Sequence, residues 1–573
     1  MKRKAVLLIA LLSILSFRAN AQENDKKYFD INKYIEIFNS TLRDLDIYYV
    51  DSIDVEKNVK TAITGMLSNL DPYTNFIMEE EMDDFKFMTT GEYAGIGSYI
   101  LAREHNGKVA VMITEPYENM PAAKSGLKAG DIILSIDGED MVKDGSVDKI
   151  GRELSNKVST SLKGQAGTEV VVKIERVGKK KPMEFKVKRE LIHVGAVPYY
   201  GVLSDNVGYI SFSGFTDKSA SEVKNAFLDL KSQGITSLII DIRGNSGGLL
   251  DDAIQIVNFF VPKGEVVLTT KGKMKQAERT YRTTLAPIDT EIPIAILVDR
   301  GSASSSEILS GSLQDMDRAV ILGQRTFGKG LVQMTRELPY GASLKITSSK
   351  YYIPSGRCIQ AIDYTHRNED GSVGRIPDSL THVFKTASGR EVRDGGGISP
   401  DFELEPEKYP SMLYYLINQN IVFDFATIWT EKNPKIASAN EFSISDKDYE
   451  EFKAFVKTKD FKYDQTSEKT MSTLKEIMEF EGYMKTAEDE FKALEAKLVP
   501  DLDRDLETFK NDIVEYLNME IAKRYYYNRG ETIVQLRNDN VVKKAIEVLN
   551  DKDLYAKTLQ PKASEEAQAN IMK

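Results

Sequence analysis

Hydrophobic and polar positions along this chain change their period twice. From 27 to 90 they recur at helical spacing, with Ile31, Ile35, Phe38, Leu42 and Leu45 in one stripe and Val55, Val59, Ile63, Met66 and Leu70 in a second. Leu70-Asp71-Pro72-Tyr73-Thr74 then interrupts the stripe, as a proline-bearing turn does. From 91 to 404 short apolar runs alternate with glycine turns. The runs 207–212, 237–242 and 294–298 read as strands, and 219–230 and 249–260 as helices between them. Strand, glycine loop and helix repeating in that order predict an α/β unit with crossover helices. Strand character returns over 343–352, whereas the polar stretch 363–394 reads as an exposed loop. From 405 onward the pattern is helical again. Ile477, Met484, Phe491 and Leu498 repeat every seven residues, interleaved with Phe480, Ala487 and Leu494, which predicts a heptad seam ending at Pro500. Leu502, Leu506, Phe509, Ile513 and Leu517 begin a further helix. An antiparallel helical hairpin is expected there, with a dimer or adaptor surface as the alternative.

Residues 91–190 carry an ordered set of turns. Tyr93-Ala94-Gly95-Ile96-Gly97 precedes a strand at 98–102. Pro121 to Leu127 reads as a helix and turn, Gly130 to Gly138 as a strand and turn, and 170–176 alternates as a strand. This order resembles a PDZ domain. The resemblance implies that Gly95, Ile96 and Gly97 present backbone amides to a peptide carboxylate, while the strand edge takes the peptide as an added strand. Ser98-Tyr99 departs from the apolar strand usual there, so a domain that only gates or braces the rest is the alternative.

The chemistry-bearing stretch follows the run 294–298. Gly301-Ser302-Ala303-Ser304-Ser305-Ser306 turns into a helix at Glu307, with apolar positions at Ile308, Leu309 and Leu313. A serine at a strand-to-helix turn projects its hydroxyl, and the first helical amides are free to stabilise an oxyanion. Such a serine needs a base, and Gly328-Lys329-Gly330 offers a lysine that can serve when neutral. Ser-Ala-Ser-Ser-Ser-Glu, Thr-Phe-Gly-Lys-Gly and a following Gln resemble the C-terminal (tail-specific) processing peptidases, which use a Ser/Lys dyad. Lys329 lies 25 residues after Ser304 and Gln333 four after the lysine, as in that family. The resemblance implies that Ser304 is the nucleophile, Lys329 the base and Gln333 the residue that orients it. Asp241-Ile242-Arg243-Gly244-Asn245-Ser246-Gly247-Gly248 matches the family's Asp-x-Arg-x-Asn-x-Gly-Gly motif. It places one oxyanion donor at Gly247 or Gly248, with the Ser305 amide as partner. Competing readings are weaker. Gly323 to Lys329 nearly spells a phosphate loop, but Gly330 stands where the magnesium-binding hydroxyl belongs. Ser246 between glycines is a second candidate nucleophile, which would need a histidine, and His105, His193, His366 and His382 lie in no recognisable motif. A Ser-rich helix cap and a surface lysine would be the bland reading of the dyad.

The fold class expected is therefore multidomain α/β: a crotonase/ClpP-like α/β protease core with an inserted β-rich PDZ domain and helical regions at both ends. The expected boundaries are 1–21 signal peptide, 22–90 helical, 91–190 PDZ, 191–404 core and 405–573 helical. Composition fits a soluble protein, with 41% hydrophobic and 28% charged residues among 573. The net charge of −11 argues against nucleic acid as a partner. One cysteine, Cys358, excludes an internal disulfide and a thiol-rich metal site; no metal or organic cofactor is implied. The expected partners are protein substrates with accessible C-termini, an activating or adaptor protein and a second copy of the chain. An inactive PDZ and helical scaffold is the alternative function, and a small-molecule crotonase-like enzyme a third that leaves the PDZ domain unexplained.

Lys2-Arg3-Lys4, the apolar run 5–14 and Ala19-Asn20-Ala21 form a secretory signal. A periplasmic location is expected, or a membrane-associated one if the signal stays uncleaved. Mass spectrometry of the exported protein should find Gln22 as its first residue; an intact Met1 would leave the signal as an anchor.

Overall fold

A computed structural model describes residues 26–561 apart from 406, 464, 465, 499 and 500. The expected signal peptide, 1–21, and the seam's end at Pro500 lie outside the described residues. The chain divides into two compact units. One is Met1–Glu79 with Gln333–Thr347, the other Glu80–Val332 with Ser348–Lys573.

The first unit holds helices over 26–48 and Val55–Ser68, the second capped by Asp54, whose Oδ1 accepts from the Lys57 amide at 2.9 Å. Asp71 then folds the expected turn. Its Oδ1 accepts from the amides of Tyr73 and Thr74 at 2.8 and 2.9 Å, and its Oδ2 from the Thr74 hydroxyl at 3.0 Å. Asn75–Ile77, expected to be helical, is instead a strand paired antiparallel with residues 343–345. The Asx turn and Pro72 stop the helix, and Phe76-Ile77 suits a sheet.

At the centre of the second unit is a six-stranded sheet in the order Tyr199–Val202, Val207–Ser211, Ser237–Asp241, Ile294–Val298, Val320–Gly323 and Phe402–Glu403. The first pair is antiparallel and the others parallel. Both faces are buried, which is why the strands read as continuous apolar runs rather than alternating ones. Ile210, Ile240, Ile296 and Ile321 point to one face, where Ser219–Ser232, Leu250–Asn258 and Ser305–Asp315 pack. Tyr209, Ile239, Leu297 and Leu322 point to the other, and what covers them comes from far along the chain. Val542, Ala545, Val548 and Leu549 of helix Asn540–Asn550 complete that layer. The tail of the C-terminal helical region thus belongs to the α/β core.

The PDZ sheet is antiparallel, in the order Ser98–His105, Lys108–Pro116, Ile132–Ile136, Glu169–Glu175 and Met183–Lys188. Leu154, Val158 and Leu162 of helix Val147–Leu162 fill its core. Ser98–His105 is its edge strand. The chain enters and leaves this domain through two paired strands, Glu92–Gly95 and Glu190–His193. Helices Ser411–Asn418, Ile421–Lys432, Asp446–Thr458 and Lys510–Leu536 gather around a separate core of Leu416, Phe425, Trp429, Phe452 and Leu517. This core meets the PDZ sheet through Phe423, which packs with Ala110, Met112 and Ile132, and through a two-point Arg103–Asp424 pair at 2.7 and 3.0 Å.

Two expectations fail. The heptad seam is not one helix: Gly482, at φ 84°, separates Thr466–Glu481 from Met484–Leu498, and Phe480 is 94% exposed. Residues 363–394 are not a plain exposed loop either. Two short hairpins form there, and Arg390 is buried with its guanidinium between Asp317 and Asp401, both at 2.6 Å. The polar composition concealed this because the buried group is itself an ion pair.

Leu549→Ala should destabilise the α/β core by about 2–5 kcal/mol, the usual cost of truncating a buried leucine. Urea unfolding monitored by tryptophan-independent circular dichroism would read this, and an unchanged transition would mean that the tail does not belong to the core.

Candidate active site

Ser304 is the N-cap of helix Ser305–Asp315, immediately after the turn that follows strand Ile294–Val298. Its backbone lies at φ 56° and ψ −114°, a conformation that costs a non-glycine residue about 1–3 kcal/mol. The turn is held in it by Glu307. One carboxylate oxygen, Oε2, accepts from the Ser304 amide at 2.9 Å and from the Lys329 amide at 2.8 Å. The other, Oε1, accepts from the Gly328 amide at 2.7 Å and the Thr326 hydroxyl at 2.5 Å. Thr326 Oγ1 also accepts from the Ile398 amide at 2.7 Å, which commits its proton to Glu307. Glu307 is fully buried, and burial pushes its carboxyl above the ordinary range while these donors favour the charged form. Tyr351 adds a second tie: its hydroxyl lies 3.3 Å from the Ser304 carbonyl and 2.9 Å from that of Lys329.

The glycines flanking Lys329 have a steric cause. A Cβ on Gly328 would stand 2.3 Å from the Ala361 Cβ, and one on Gly330 would stand 2.8 Å from the Gln360 amide. The lysine segment therefore lies directly against 360–361 while its half-buried side chain leaves the backbone between them.

The loop 243–248 closes on the serine from the adjacent strand. Gly247 has φ 99°, and a Cβ there would fall 2.8 Å from the Ser304 Cβ and 2.9 Å from the Ser305 nitrogen. A Cβ on Gly248 would fall 2.1 Å from the Phe215 carbonyl. Only glycine permits either approach. The Gly247 amide donates to Asn245 Oδ1 at 2.9 Å, and the Ser305 hydroxyl donates to the Gly248 carbonyl at 2.9 Å. Among the described residues the amides of Gly248 and Ser305 have no acceptor. Of the two glycines singled out by the sequence, Gly248 is thus the one with an amide to offer.

The other sequence candidates are placed as follows. Ser246 is exposed, and the histidines are bonded elsewhere: His105 to Glu175, His193 to Glu222, His366 to Asp363 and His382 to Asp394. Gln333 belongs to the first unit, where its Nε2 donates to the Thr347 hydroxyl at 3.2 Å and the Thr347 amide donates to Thr74 at 3.2 Å. In the PDZ loop Gly95, Ile96 and Gly97 are buried. The carbonyls of Ile96 and Gly97 accept from Ala122 and Tyr117 at 2.8 and 3.0 Å. The Tyr93 ring lies across Gly95, where a Cβ would stand 2.9 Å from its Cε2, and packs edge-on against Phe87. Its phenol faces the amides of Ser98 and Gly97, and burial pushes its pKa up to about 12. Glu307, Thr326 and Tyr351 were not assigned site roles from the sequence. Ser304-x-x-Glu307 has the spacing of a capping box, a signal for Glu307 alone.

The matches to known proteins agree with this architecture. Residues 206–366 match peptidase family S41, residues 112–176 a PDZ domain, and residues 412–549 the C-terminal helical domain of a PDZ-protease. A carboxy-terminal-processing protease of Bartonella bacilliformis (strain ATCC 35685 / KC583 / Herrer 020/F12,63) is 34% identical over 364 residues, 63% of this chain and 79% of that one. A CtpA-like serine protease of Staphylococcus aureus (strain COL) is 32% identical over 360 residues, 62% of this chain and 68% of that one. Among solved structures, a photosystem II D1 C-terminal processing protease aligns at 26% identity and a TM-score of 0.34, over 65% of this chain and 88% of that one. Fold and matches together define a PDZ-bearing serine peptidase. The chain belongs to peptidase family S41.

Glu307→Gln should impair the site, because the amide nitrogen of glutamine would face two N–H or O–H donors at one end of the carboxylate. Leaving them unsatisfied costs about 1–3 kcal/mol. A lower melting temperature together with a slower rate on a protein substrate is expected; wild-type values for both would remove Glu307 from the scaffold of the site.

Proposed function

We propose that this protein is an exported endopeptidase that cleaves protein substrates near their C-termini. Ser304 attacks the scissile carbonyl and gives its proton to the neutral amine of Lys329. The Gly248 and Ser305 amides stabilise the tetrahedral oxyanion. Lys329 then protonates the leaving amine, and water activated by the same lysine releases the acyl group. Gln333 is assigned to orienting the lysine on its spacing from Lys329. The loop Gly95–Gly97 receives the substrate's terminal carboxylate.

The observation that carries this reading is the one carboxylate, Glu307, that bonds both the Ser304 amide and the Lys329 amide. It ties the two segments bearing the proposed nucleophile and base to a single point. The name of the Bartonella bacilliformis relative supports C-terminal processing as the activity, and the apolar leader supports export. Against the scaffold alternative stands the strained backbone at Ser304, a cost of a kind that clusters at active sites.

Mass spectrometry of unfolded casein digested by wild type, Ser304→Ala, Lys329→Ala and Ser246→Ala tests the assignment. Cleavage should vanish in the first two variants, by at least about 1000-fold, and persist in the third. Adding substrates that differ only in a free or amidated C-terminus tests the carboxylate loop. Cleavage by Ser304→Ala at the wild-type rate would dismiss the proposed nucleophile.

A further inference from the structure

The loop that carries Gly247 and Gly248 begins at Arg243, and Arg243 is held from two sides. Its Nε donates to Asp241 Oδ1 and Oδ2 at 2.9 and 3.1 Å, and its Nη2 reaches Asp241 Oδ2 at 2.5 Å. The same Nη2 donates to Asp539 Oδ2 at 2.7 Å, across 296 residues of sequence. Asp539 spends its other oxygen on the helix it begins: Oδ1 accepts from the amides of Val541 and Val542 at 2.9 and 3.0 Å. Asp241 is also fixed, by the Tyr209 hydroxyl at 2.8 Å and by the Arg243 amide at 3.0 Å. Both aspartates are buried.

This arrangement has a direction. Asp241 is the last residue of a central strand and Asp539 the N-cap of the helix that covers the sheet's second face. Farther along, the loop's ties among the described residues run to the nucleophile side of the sheet. The Gly244 amide donates to Asp299 at 2.9 Å, the Asn245 side chain to the Phe212 carbonyl at 2.9 Å, and the Ala303 amide to the Asn245 carbonyl at 3.1 Å. The Arg243–Asp539 contact is the tie that comes from the opposite layer, and it acts at the residue where the backbone leaves the strand. A guanidinium held by two carboxylates has a fixed plane as well as a fixed position. Small rotations there are carried along five residues to the Gly248 amide, and misplacement of a reacting geometry by about 1 Å can cost about 100-fold.

We infer that Asp539 is a positioning residue for catalysis: through Arg243 the N-cap of helix Asn540–Asn550 sets the course of the oxyanion loop. The inference rests on the reading of Gly248 and Ser305 as the oxyanion donors. It makes the helix Asn540–Asn550 a working part of the active site as well as a layer of the core.

The test is a double-mutant cycle in the full-length protein with fluorescein-labelled casein as substrate. Asp539→Asn keeps an N-cap oxygen, since asparagine caps as well as aspartate, but withdraws the charged acceptor from Arg243. It should lower kcat about tenfold with KM and melting temperature near wild type. Arg243→Gln should lower kcat further, and adding Asp539→Asn to it should change nothing more, because both act through one contact. Factors that multiply in the double variant would assign Asp539 a merely structural role and overturn the inference, as would a kcat for Asp539→Asn within twofold of wild type. If Asp539→Asn fails to fold, Arg243→Lys keeps the charge without the two-carboxylate fork, and an unchanged kcat in it would be equally decisive. Ser304→Ala is assayed alongside. Activity retained there would sink the reading of the site, whereas an inert Ser304→Ala beside a wild-type Asp539→Asn would sink this inference alone.

Discussion

One buried carboxylate organises the catalytic end of this molecule. Glu307 has no cation beside it among its hydrogen-bonding partners; its charge is answered by three backbone amides and one hydroxyl. A buried carboxylate left with fewer donors would take up a proton or move. The four donors come from the serine turn and from the segment 326–329, so neither segment can shift without leaving that carboxylate short. The strained backbone at Ser304 persists for the same reason. Its cost is small beside that of an unsatisfied buried charge.

The sheet sets where those two segments start. The serine turn leaves one parallel strand, the lysine segment leaves the next, and the glycine loop leaves the strand on the other side. Crossover connections place all three exits at the same end of the sheet, where open parallel sheets carry their sites. Glycines then remove the last obstacle, for Gly247 and Gly248 lie against Ser304 and Phe215 at distances that no side chain allows. Burial on both faces keeps the strands from slipping, and on the second face helix Asn540–Asn550 supplies part of the cover.

Much of this was legible because local chemistry writes local sequence. Glycines demanded by close approach, a serine at a strand-to-helix turn and a fixed interval to a lysine stand out in one dimension. The core strands stood out too, since a strand buried on both faces has no polar position to blur it. What was illegible depends on partners far away in the chain. Val542, Ala545, Val548 and Leu549 look like the face of any amphipathic helix, and nothing in them names the strands they cover. Glu307 reads as a good capping residue, while its bonds to Gly328 and Thr326 exist only once the two segments meet. The seven-residue repeat through Ile477 and Phe491 misled because periodicity does not register a single glycine in a left-handed conformation. Asn75–Ile77 was missed because its partner strand lies more than 260 residues later.

The paired strands that lead into and out of the PDZ domain have a historical consequence. Glu92 faces His193 and Gly95 faces Glu190, so the domain departs from and returns to the core at neighbouring points, roughly 5 Å apart as in any sheet. A host chain interrupted in this way pays almost no closure entropy for the guest, however long the guest is. The ribbon draws its own ladder of hydrogen bonds, and Tyr93 is the residue of it that reaches onto the loop Gly95–Gly97. Recombination could have exchanged one recognition module for another at this junction, or shortened it to a tight turn, while leaving every strand of the catalytic sheet in register.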